Sequence, residues 1–138
     1  MKHICTFIFI FCFVFFNTIF ADIFDEKTNI SAEKIEYHQN LNEVTFFKNV
    51  LIESNIFSIK ANRATYNNNK NLFLIKGLPS VIKSNNSNKV FSGVADEIIL
   101  FSDDKVHLKG NANIKIDNIS ISSKLIIFNP ITGKIFSE

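Results

Sequence analysis

The chain has 138 residues, with 15 Lys and Arg set against 13 Asp and Glu, two cysteines and sixteen phenylalanines. That length fits one domain, and so even a charge balance argues against the clustered basic face that a nucleic-acid partner requires. Both cysteines, Cys5 and Cys12, fall in the first dozen residues, so the rest of the chain has no disulfide and no thiolate metal site.

Met1, Lys2 and His3 make a short basic start, and Ile4 to Phe20 is a nearly unbroken apolar run ending at the small Ala21. This is the pattern of a secretory signal over residues 1–21, cut after Ala21. The residue three before the cut is Ile19, bulkier than usual, so an uncleaved anchor is the alternative. Its 17 residues lie at the short limit for crossing a bilayer. The signal takes seven of the sixteen Phe, and with Lys2 removed 14 basic residues stand against 13 acidic ones. Residues 22–138 are expected to form a single domain.

After a polar lead-in, Asp22 to Asn29, one frame recurs four times. It begins with Ile30, Ala32, Ile35 and Tyr37. It returns as Ile59, Ala61, Ala64 and Tyr66, as Gly93, Ala95, Ile98 and Leu100, and as Ile121, Ser123, Ile126 and Phe128. A period near 30 residues marks a repeat architecture. Offsets zero and two share one strand face, and offsets five and seven share the opposite parity. A bend or bulge must therefore lie between them.

Each frame is followed by a polar tip and then a second apolar segment. Val44 to Phe47 ends in Lys48-Asn49, Leu72 to Ile75 in Lys76-Gly77, and Val106 to Leu108 in Lys109-Gly110. Asn and Gly accept positive φ, so a tight corner is expected at each pair. Further short strands follow at Val50–Ile52, Val81–Ile82 and Ala112–Ile116. Ala112, Ile114 and Ile116 alternate with polar residues up to Asp117-Asn118, and Ile119 and Ile121 alternate beyond it, which predicts a two-residue hairpin turn. No window carries a helical apolar spacing. The expectation is an all-β, repeat-built fold of about 14 short antiparallel strands.

The segments Ile-Ser-Ala-Glu-Lys-Ile-Glu-Tyr (30–37), Val-Thr-Phe-Phe-Lys-Asn-Val (44–50) and Val-His-Leu-Lys-Gly-Asn-Ala (106–112) resemble the OstA repeats of the LptA family of periplasmic lipopolysaccharide-transport proteins. Gly77-Leu78-Pro79-Ser80-Val81 is similar to that family's Gly-x-Pro segment. The resemblance covers residues 30 to about 137. It implies a twisted, open β-jelly roll with a V-shaped trough for the lipid A part of lipopolysaccharide. It also implies a periplasmic location and head-to-tail stacking, with itself or with LptC-like and LptD-like jelly-roll partners, into a bridge between the two membranes. One departure is the short C-terminus: the chain stops at Glu138, where the family commonly adds a strand. A retained anchor would favour an LptC-like component.

By parity, Ile30, Ile35, Tyr37, Ile59, Ile82, Ile98, Leu100, Ile126 and Phe128 share one side of the bent strands. Alternating apolar residues in a sheet are usually a closed core, and on alternation alone that reading comes before an open trough; the resemblance implies that some of them line the trough. A trough predicts that a charge at Ile82 or Leu100 abolishes lipid binding without unfolding. The free edges are expected at residues 30–37 and near 125–136.

Catalytic chemistry finds no footing. Asp96-Glu97 and Asp103-Asp104 are sequence neighbours, so within a strand the partners of each pair point apart. His38 and His107 have no metal-ligand spacing around them. Lys109-Gly110-Asn111 opens no helix and is no phosphate loop. No enzyme, cofactor or metal is expected. A β-helix lyase would bring an acidic or basic cluster repeated on one face; a purely structural β-solenoid would have a closed, ligand-free core.

Overall fold

β-Branched and aromatic residues spaced by two pair into one continuous antiparallel sheet. The structure is a computed structural model that describes residues 28–85 and 87–138, so the signal and anchor readings of residues 1–21 lie outside it. The strands are β1 (Asn29–Ser31), β2 (Lys34–His38), β3 (Glu43–Glu53), β4 (Phe57–Asn67), β5 (Leu72–Ser84), β6 (Phe91–Phe101), β7 (Val106–Ile116), β8 (Ile119–Phe128) and β9 (Ile135–Ser137), with one 3₁₀ turn at Gln39–Leu41. From β3 to β9 every strand pairs with its neighbour in sequence, and β1 and β2 both pair with β3. The Asp117-Asn118 hairpin forms as expected, with Ile116 opposite Ile119.

The expected corners are bends within strands rather than chain reversals. Register breaks fall between Phe47 and Val50, Lys60 and Arg63, Lys76 and Ser80, Val94 and Glu97, and Lys109 and Ala112. They line up across the sheet as one crease. Lys48, Asn49, Gly110 and Asn111 take positive φ there, the conformation that Gly accepts freely and Asn tolerates. Gly77 serves a different need: a Cβ on it would lie 2.8 Å from the Ser80 backbone nitrogen. Hydrogen-bonded pairing resumes on the far side of each bend. The count among the described residues is therefore nine strands and not about 14; the two segments on either side of a bend stay one strand.

The crease divides the sheet into two walls that share one core. The first wall holds β2, β9 and the halves of β3–β8 at residues 43–47, 63–67, 72–76, 97–101, 106–109 and 125–128. The second holds β1 and the remaining halves. Because the bend switches parity, both halves of the repeat frame point inward. Ile59, Ala61 and Ala64 are buried on one strand, and Ala95, Ile98 and Leu100 on another. Side-chain size grows away from the crease. Next to it lie Ala61, Ser80, Ala95 and Ala112; then come Ile52, Ile59, Ile82 and Ile114 on the second wall and Ile75, Ile98, Leu108 and Ile126 on the first, in a row where the large Phe46 pairs with the small Ala64; outermost are Phe57, Phe73, Phe91 and Phe128. Small residues let the walls converge, and aromatic ones fill the gap where they diverge, so the taper is set by side-chain volume. Among the described residues no helix is long and apolar enough to cross a membrane.

Candidate functional site

The inner face runs the full width of the sheet, but its cover does not. Register places Ile35, Phe46, Ala64, Ile75, Ile98, Leu108 and Ile126 in one inward row, and Tyr37, Val44, Tyr66, Phe73, Leu100, Val106, Phe128 and Ile135 in the next. On the second wall a row runs Ile30, Ile52, Ile59, Ile82, Gly93, Ile114 and Ile121. Antiparallel partners share a face, so the rows form apolar tracks across the sheet, the first of them ending against Ser137 on β9.

Of the residues expected to line a trough, Ile59, Ile82, Ile98, Leu100, Ile126 and Phe128 come together in the filled middle of this track. Ile30 is partly buried against it. Ile35 and Tyr37 lie at the β2 edge, 59% and 63% exposed. The opposite edge presents Ile119, exposed, with Ile121 and Ile135 only partly covered. These three went unnamed as site residues, although the alternation around Asp117-Asn118 carried the signal for Ile119 and Ile121. The burial of Ile82 and Leu100 also removes them as test positions. A charge there would be stranded in the core and cost folding, so loss of binding would say nothing about a trough.

Where the walls diverge near β8, Phe91 and Phe128 meet edge to face, ring centroids 4.8 Å apart. Beside them a recess of about 190 Å³ is lined by Val90, Phe91, Ile116, Phe128 and Pro130. The β8–β9 loop folds over it. Asn129 Oδ1 accepts the Ile131 and Thr132 amides, at 2.9 and 3.1 Å, and Lys89 Nζ donates to the Ile131 carbonyl from the other wall.

On the outer face of the first wall three carboxylates form ion pairs: Lys34 with Glu36 at 2.7 Å, Lys76 with Glu97 at 3.9 Å and Lys105 with Asp103 at 3.4 Å. The hydrogen bond from Lys34 holds the Glu36 carboxyl below its usual value. His107 packs tilted against Phe101, ring centroids 4.5 Å apart, and burial pushes its imidazole pKa down against the opposing pull of Asp103. Among the described residues no cluster of His, Cys, Asp and Glu could hold a metal ion.

The family described as the LptA/(LptD N-terminal domain) LPS transport protein matches residues 29–134. The chain belongs to that family. In fold it is similar to the crystal structure of LptH, described as the LptA homologous periplasmic component of the conserved lipopolysaccharide transport device from Pseudomonas aeruginosa. The TM-score is 0.73, with 14% sequence identity over 80% of each chain. No curated protein matches the sequence significantly. The bent, open sheet thus has the LptA-like jelly-roll architecture, and the family is one of transport proteins rather than enzymes.

Proposed function

We propose that the chain is a periplasmic carrier in lipopolysaccharide export, bridging inner and outer membranes and holding lipid A acyl chains against its apolar inner face. The observation that carries this reading is the exposure of the inner rows at both sheet edges. A closed structural solenoid would cap its rows, whereas Ile35, Tyr37 and Ile119 are left uncovered. A periplasmic place is supported by the apolar leader and by the description of LptH.

Exposing one acyl chain of about a dozen carbons to water costs on the order of 10 kcal/mol, at roughly 0.8 kcal/mol per CH₂. The interior is filled, so an acyl chain enters by parting the walls. That exchange replaces contacts between apolar walls with contacts between wall and lipid, and the apolar area facing water changes little. The crease acts as the hinge, and the exposed β2 rim is the entrance. Similar jelly-roll units, LptC-like, LptD-like or a second copy, would add strands at the β1/β2 and β8/β9 edges and extend the inward rows from one unit to the next.

The test uses the rim rather than the core. Tyr37→Lys and Ile35→Lys leave the buried rows intact, so both variants are expected to unfold in urea with the wild type. Cross-linking to lipopolysaccharide from a photoreactive residue at position 46, beside Ile35, should fall at least tenfold in them. Undiminished cross-linking in the folded variants would refute entry at this rim. No cross-linking even in the wild type would refute the carrier reading.

A further inference from the structure

The two ends of the wedge are closed differently. At the β8 end the loop of residues 129–134 leaves the first wall after Phe128 and reaches the tip of the second. It is a built turn. The Asn129 side chain accepts the Ile131 and Thr132 amides. The Asn129 carbonyl accepts the Gly133 amide at 2.8 Å, and the Asn129 amide donates to the Lys134 carbonyl at 3.0 Å. Gly133, at a φ of +75°, supplies the left-handed residue the turn needs. The turn buries Pro130 and leaves Ile131 exposed. Pro130 shares its recess with Val90, Phe91 and Ile116 of the second wall. Lys89, also from the second wall, holds the Ile131 carbonyl. A ring pair between Phe91 and Phe128, a buried proline and a hydrogen bond thus join the walls at this end. At the β2 end the tips bond along each wall. On the first wall Asn42 pairs with Asn69 and Asn68, and on the second Asn85 donates to the carbonyls of Ser54 and Ile56. The inward residues at that end, Ile35 and Tyr37, are uncovered. With the crease as hinge, a wedge tied at one end parts most at the other.

We propose that the β8–β9 loop is a clasp that gates the β8 end of the interior. Acyl chains occupy the β2 end while the clasp is shut, and they reach Ile121 and the β8 edge only when it is released. This deepens the carrier reading and rests on it. Release separates Phe91 from Phe128, withdraws Pro130 from its recess and frees the Lys89 ammonium. The hydrogen bonds inside the turn survive that movement, so the loop swings as one piece between its ends at Phe128 and Ile135. Each of the three joining contacts is modest alone. The shut state is therefore favoured and yet reversible, as a gate between two populated states requires.

The test uses the full chain with Cys5→Ser and Cys12→Ser, so that Lys89→Cys/Ile131→Cys carries the only thiols. Unbridged, this variant lacks the Lys89 ammonium and is untied; joined by a short bismaleimide, it is locked. Both positions are exposed, and matching circular dichroism spectra check that the variant folds. Lipopolysaccharide is cross-linked from a photoreactive residue at position 46, toward the β2 end, or at position 121, at the β8 end. Locking should lower labelling at 121 on the order of tenfold and leave labelling at 46 within about twofold, because apparent affinity falls with the fraction of open molecules. The untied form should label at 121 at least as strongly as the chain with Lys89 and Ile131 intact. A bridged control, Asn42→Cys/Asn69→Cys, joins two tips of one wall and should change neither position. Equal labelling at 121 in the locked and untied forms, or equal losses at 46 and 121, would overturn the gate and leave the carrier reading standing. No labelling at either position with Lys89 and Ile131 intact would refute the carrier reading, and the gate with it.

Discussion

The middle of the sheet and its β2 edge carry the same motif with opposite fates. Ile98 and Leu100 occupy the fifth and seventh offsets of one repeat and are 0% and 1% exposed; Ile35 and Tyr37 occupy the same offsets of another and are 59% and 63% exposed. The residue types are alike and the inward direction is the same. What differs is the neighbourhood: β6 has a strand on either side and a wall opposite, while β2 pairs only with β3. Whether an apolar frame becomes core or an uncovered rim is thus decided by its place in the order of strands.

The sharpest way to break this comparison is to truncate both members. Leu100→Ala should destabilise the fold by about 2–5 kcal/mol, read as a lower urea midpoint. Ile35→Ala at the rim should cost under about 0.5 kcal/mol. Similar losses at the two sites would mean that β2 is covered in solution.

The crease offers the next test. Ala95→Leu forces volume into the narrow end of the wedge, and overpacking there should cost about 1–3 kcal/mol by the same measurement. A Gly110→Ala change should cost on the order of 1 kcal/mol. Its φ is +80° and a Cβ would meet Asp96 Oδ2 at 2.7 Å.

The smallest effect expected concerns His107. Burial lowers its imidazole pKa in the folded chain, so the unfolded chain binds the proton more readily. The stability tied to neutral His107 is complete above the unfolded value of about 6.5 and declines as pH falls through and below it. His107→Gln should flatten the acid side of the urea-midpoint profile slightly, and an unchanged profile would refute this assignment.

The parity switch between Ala61 and Ala64, or between Ala95 and Ile98, was readable because a strand that buries both faces of its period must bend between them. The repeat then placed that bend in strand after strand. The Lys-Asn and Lys-Gly pairs marked positive φ but not what the chain does there. A left-handed residue serves a hairpin or a bulge equally well, and only cross-strand hydrogen bonding distinguishes them, so the segments looked like separate strands. Burial was the least legible property. Ile82 and Ile35 look alike along the chain, and their difference depends on which strands have neighbours.

The order of the strands also bears on how the polypeptide acquires its shape. From β3 onward each strand hydrogen-bonds to the one just before it in sequence, which keeps loop closure short for an all-β protein. A chain delivered from its N-terminus can zip β3 to β4 and β4 to β5 while its last strands are still to emerge. Assembly then proceeds in the direction of synthesis, and no early strand waits with both flanks bare for a distant mate.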